Sequence, residues 1–170
     1  MTPAAVIGID PGKEGGVALV PLDRVSFAPW VLPIPYLRDD DQPDIPRLVS
    51  ALYMGALEVD VAVLALEDVN SFGMGRQSAF VFGQGIGALL AMAAVMRTPV
   101  VRVRPVVWQK PLGVRRGRAK KADASGPVSR LFPGVELFLG ASRPHSGVVD
   151  ALGIAEYARR LATGYGSGHS

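Results

Sequence analysis

Cysteine is absent from this chain, so no disulfide framework stabilises the fold and no thiolate is available to a metal. No secretory leader is legible either, and the two absences together predict a cytoplasmic protein. Charge is sparse. Charged residues make up 19% of the 170 positions against 49% hydrophobic, which argues for a folded globule with enough apolar surface for a sizeable core. Only one long apolar stretch stands out, Ser78 to Met96, and Gln84 and several glycines interrupt it. We read it as a glycine-rich buried helix, not a membrane span. One domain over 1–163 is therefore expected, followed by a flexible, polar, glycine-rich tail over 164–170.

The net charge of +3 is small, but its distribution is uneven. Arg97, Arg102, Arg104, Lys110, Arg115, Arg116, Arg118, Lys120, Lys121 and Arg130 follow one another with only Asp123 opposed to them. The acids gather earlier, at Asp39, Asp40, Asp41, Asp44, Glu58, Asp60, Glu67 and Asp68. Such segregation suits a face that attracts a polyanion; a solvated basic loop is the plain alternative.

The stretch VIGIDPG, Val6 to Gly12, is a β-branched run ending in an acid, a proline and a glycine. It predicts a buried strand over 4–10 that delivers Asp10 to its end, and Pro11 and Gly12 then turn the chain into a second strand over 15–22. A third strand is expected over 25–32, and then a proline- and aspartate-rich loop over 33–43. A helix capped by Asp44 follows, with Pro46 in its first turn. A carboxylate fixed at a strand end suits a metal ligand or general base, and an Asp that merely caps its turn is the competing reading. Val59 to Leu66 is another apolar strand that stops at Glu67, repeating the arrangement. In a sheet with parallel strands, ligands bind at neighbouring carboxyl ends, so the second acid favours the catalytic reading of the first. Asp68 should point the other way and is an alternative ligand.

The loop VNSFGMGRQ, Val69 to Gln77, offers Phe72 and Met74, which would wedge or stack against unpaired bases or else tuck back onto the surface. Ser78 is read as the cap of the glycine-rich helix, whose small residues allow close packing either on the domain's own sheet or in a homodimer. Pro99 to Arg104 is a last strand, and Pro105 to Pro127, which contains Trp108, is expected to be a mobile basic segment. A final helix is expected over 148–161 with Asp150 in its opening turn, where the helix dipole favours a carboxylate. His145 just upstream is either solvated or a ligand or proton shuttle.

This order of strands, acids and helices is that of a ribonuclease H-like α/β fold, a mixed five-stranded sheet flanked by helices. IGIDPGKEGGVALV at 7–20, LEDV at 66–69 and VDALGIAEYA at 149–158 resemble the RuvC family of Holliday junction resolvases, phage-type and other RuvC-like members more than the housekeeping bacterial enzymes, from about Val6 to Ala158. The resemblance implies that Asp10, Glu67 and Asp150 are the catalytic, metal-binding acids. Family members usually place a fourth ligand shortly before the last acid; here that spacing falls on Gly147, and His145 or Ser146 stands nearest. The resemblance further implies two Mg2+ ions per site, with Mn2+ substituting, a homodimer, and branched DNA, especially four-way junctions, as partner. The expected DNA-contacting set is Phe72, Met74, Arg76, Arg104, Trp108, Lys110, Arg115, Arg116, Arg118, Lys120 and Lys121. A nuclease acting on forks, flaps or bubbles and a non-cleaving junction-binding protein are the rivals. An actin-like or sugar kinase shares the Asp-Gly turn, but the chain is short for two such domains and lacks a second phosphate-binding glycine motif.

Overall fold

The computed structural model describes residues 2–37, 42–69, 73–114 and 123–164. Five strands form one sheet: β1 (Ala4–Asp10), β2 (Gly16–Pro21), β3 (Trp30–Pro33), β4 (Asp60–Glu67) and β5 (Val100–Val103). Their spatial order is β3-β2-β1-β4-β5. The first three strands form an antiparallel meander, whereas β4 and β5 run parallel to β1. Helices α1 (Ile45–Ala56), α2 (Arg76–Val95), α3 (Pro105–Gln109), α4 (Ser125–Leu131) and α5 (Ser146–Ala162) complete the fold. The mixed five-stranded sheet with flanking helices is the architecture that the sequence pattern predicts.

Side-chain alternation in β1 assigns the two faces of the sheet. Ala5, Ile7 and Ile9 pack with Leu48 and Leu52 of α1 and with Leu89, Met92 and Ala93 of α2. Val6 points the other way, into a core with Val148, Ala151, Leu152 and Ala155 of α5. Gly8 shows how closely α5 lies on β1: a Cβ there would stand 2.3 Å from the Ala151 carbonyl oxygen and 2.4 Å from the Ala155 nitrogen. The helix rests directly on the strand because no side chain intervenes.

Four local expectations need correction. The third strand begins at Trp30, not at 25, because Asp23 forms a turn in which Oδ1 accepts the amides of Val25 and Ser26, each at 3.0 Å. Val25 is exposed as a result. Helix α2 starts at Arg76 with Gly75 as its cap, ahead of Ser78. Within the expected mobile segment, Pro105 starts α3 and a 3-10 turn follows over Lys110–Leu112. Proline suits a first helical turn because the amide it lacks has no partner there. Finally, α5 starts at Ser146, so Asp150 lies beyond its first turn and the dipole argument for that acid loses most of its force.

Candidate active site at the strand ends

Asp10 is the last residue of β1, and its Oδ1 accepts the Gly12 amide at 3.0 Å. The turn is closed by a second bond, from the Gly15 amide to the Gly12 carbonyl at 2.8 Å. The capping reading of Asp10 therefore holds for one carboxylate oxygen, and that bond orients the group. Glu67 is the last residue of β4, the strand beside β1. The parallel register pairs Gly8 with Ala65 and Ile9 with Leu66, which sets Asp10 and Glu67 side by side on the face that α5 covers.

Glycines bring the helix that carries the third acid onto the same face. Gly16, which pairs with Asp10, lies against Gly147, and a Cβ on Gly16 would come within 2.6 Å of the Gly147 backbone. The first turn of α5 thus touches the turn that follows Asp10, and Asp150 lies one turn further along the helix, buried at 9% exposure. Glu67 is equally enclosed at 8%. Its Oε1 accepts the indole N–H of Trp108 at 2.8 Å.

His145 has a role that the sequence did not announce. It is the N-cap of α5, and its Nδ1 accepts the Val148 amide at 3.3 Å. While that bond is made, Nδ1 is not available to a metal. Asp68 lies outside the acid group and forms a half-exposed ion pair with Arg102 at 3.8 Å.

Three carboxylates are hard oxygen donors, the chemistry that Mg2+ or Mn2+ takes. Among the described residues, however, no three Asp, Glu or His side chains close into a ready-made metal cluster. Asp10, Glu67 and Asp150 share one end and one face of the sheet without forming a finished ligand set.

No protein-family model matches the sequence, and no curated protein matches it. Solved structures do match. Thermus thermophilus RuvC is similar with a TM-score of 0.65 at 22% identity, over 94% of this chain and 96% of that one. T. thermophilus RuvC in complex with a Holliday junction substrate gives 0.63 at 21%, over 95% and 96%. This is the ribonuclease H-like fold of RuvC.

On this RuvC-like frame the expected DNA-contacting residues separate. Arg76, at the start of α2, and Arg104 and Lys110, flanking α3, are all exposed. Met74 is 41% exposed and lines a cleft of about 490 Å³ beside the Asp10 turn, together with Pro11, Lys13, Tyr36 and Gln77. Phe72, Arg115, Arg116, Arg118, Lys120 and Lys121 lie outside the described residues. Trp108 is a correction: it is fully buried, so it cannot reach DNA, and its N–H is committed to Glu67.

A buried acid also escaped the sequence reading. Glu156 of α5 is fully enclosed and accepts from Arg159 Nε at 2.8 Å, from Arg160 Nε at 2.7 Å and from Arg24 Nη2 at 2.5 Å. Burial by itself would raise its pKa; the hydrogen bonds from Arg159 and Arg160 and the charges of Arg159 and Arg24 outweigh it and hold the carboxyl below its ordinary value. Arg159 also donates to the Leu22 carbonyl and Arg160 to that of Pro111. The cluster ties the helix that carries Asp150 to the β2–β3 connection and to the turn after Trp108. An i, i+3, i+4 spacing of Glu156, Arg159 and Arg160 was its only trace in the sequence.

Proposed function

We propose that this chain is a divalent-metal-dependent, structure-selective DNA endonuclease that resolves four-way junctions by paired nicks. The arrangement that supports the reading is the placement of Asp10 and Glu67 at adjacent strand ends, with the helix that carries Asp150 packed on the same face, in a RuvC-like fold. These three residues would hold the cation, Mg2+ with Mn2+ as substitute; when bound, it activates water and stabilises the leaving oxygen of a phosphodiester. The chain's own contributions are separate. Gly12 and Trp108 orient two of the carboxylates by hydrogen bonds, and exposed Arg76, Arg104 and Lys110 supply cations for backbone phosphates.

Two symmetric cuts call for two sites, which a homodimer presents. Helix α2 supports this reading. The expectation of a buried helix is not met: α2 is long and apolar enough by composition to cross a membrane, yet only 17% of that apolar window is buried within the protein. Phe80 and Val95 stand 66% and 79% exposed. A second copy of the chain seated on α2 would cover this surface.

The deciding experiment is a cleavage panel of intact junctions, forks, flaps and duplex of matched sequence, in Mg2+. Asp10→Asn is expected to abolish cleavage and retain junction binding; cleavage by that variant at the wild-type rate would remove the assigned site. The unclosed acid group favours one rival, a non-cleaving junction-binding protein. Junction binding without any nicking across Mg2+ and Mn2+ titrations would establish that rival instead.

A further inference from the structure

Trp108 holds Glu67 in a way that reaches beyond packing. An indole N–H only donates: it cannot ligate a cation or surrender its proton in the working pH range, so it aims the carboxylate without competing for the ion. The ring itself is held on both sides. Its helix, α3, starts at Pro105 and runs into the Lys110–Leu112 turn. Its benzene edge lies on Gly153 of α5, where a Cβ would stand 2.5 Å from Cζ3 and 3.0 Å from Cε3. Gly153 follows Asp150 by three positions and so shares its side of the helix. One ring therefore spans the interval between the strand end that carries Glu67 and the helix that carries Asp150.

We propose that Trp108 is the positioning residue of this site: its N–H aims the Glu67 carboxylate at a divalent cation, and its ring sets the distance from that carboxylate to Asp150. The inference rests on reading the strand ends as a metal site. Hydrogen-bond partners of a ligating group are worth about 10- to 100-fold in metal affinity.

Trp108→Phe removes the N–H and keeps an aromatic ring. Titration of the full chain with Mn2+, following free Mn2+ by electron paramagnetic resonance, is expected to give a dissociation constant about 10- to 100-fold weaker than wild type. Junction binding in metal-free buffer is expected to persist. Since the smaller ring could disturb the core, a second measurement uses the unaltered side chain. Trp30 and Trp108 are the only tryptophans, and Trp30 lies on β3, at the far side of β1 from Glu67. In a nitrogen-15 correlation spectrum, assigned with Trp30→Phe, Mg2+ is expected to move the Trp108 indole resonance and leave that of Trp30 in place. Glu67→Gln is the control that separates the two levels of the argument. If Glu67→Gln weakens Mn2+ binding while folded Trp108→Phe binds Mn2+ as wild type does, or while the Trp108 resonance ignores saturating Mg2+, the positioning role is overturned and the metal site stands. If Glu67→Gln binds Mn2+ normally, the metal-site reading falls and this inference falls with it.

Discussion

Glu156 is the acid whose removal the structure makes most calculable. Glu156→Gln keeps the shape of the side chain and deletes one charge beneath three arginines. The Arg159 side chain is only 10% exposed and would be left as a nearly buried cation without its counter-ion, whereas Arg160 and Arg24, at 29% and 41%, would recover much of their hydration. Removing one partner of a buried pair costs about 3–5 kcal/mol, and the two better-hydrated arginines place this case toward the lower end. For a domain of this size each kcal/mol moves the melting temperature by about 2–4 °C, so a fall of about 6–12 °C is expected. The pH dependence provides an independent check. The folded carboxyl titrates below the ordinary value of 4.5, so its contribution is fully present above that pH and is lost as pH falls through the folded pKa. Urea denaturation of wild type and variant at a series of pH values is the assay. The gap between them should be widest near neutrality and narrow below pH 4.5. A variant within about 0.5 kcal/mol of wild type at neutral pH, or a gap that does not change on acidification, would refute the reasoning.

Gly8→Ala places a methyl group inside three backbone contacts of α5 and is expected to cost about 3 kcal/mol or more, with loss of cleavage because Asp150 moves with its helix; denaturation midpoints and junction cleavage measure both. His145→Ala removes the α5 cap and is expected to lower stability by about 0.5–1 kcal/mol, the small end because the bond is long. No loss in the denaturation midpoint would mean that the cap contributes nothing. Phe80→Glu, on the open face of α2, is expected to leave monomer stability within about 0.5 kcal/mol and to convert a dimer to a monomer in light scattering. An unchanged molar mass would place the second copy elsewhere.

The two acid-ended strands were legible because an apolar β-branched run that stops at a carboxylate is a local pattern, complete within ten residues. Strand β3 was misjudged because Asp23 competes for backbone amides with its own side chain, and alternating apolar residues do not register that competition. The basic segment illustrates the other limit. Trp108 reads as a DNA contact beside its cationic neighbours, and only the packed structure turns it inward onto Gly153 and Glu67.

Which residue types end which elements is a local property, because hydrophobic periodicity and turn chemistry act over a few positions. Packing governs which of those groups come near one another. Strand register set Asp10 beside Glu67, glycines let α5 descend onto β1, and a buried indole joined Glu67 to the helix that carries Asp150. Register, close backbone approach and burial are relations between distant segments, so no local window of residues contains them.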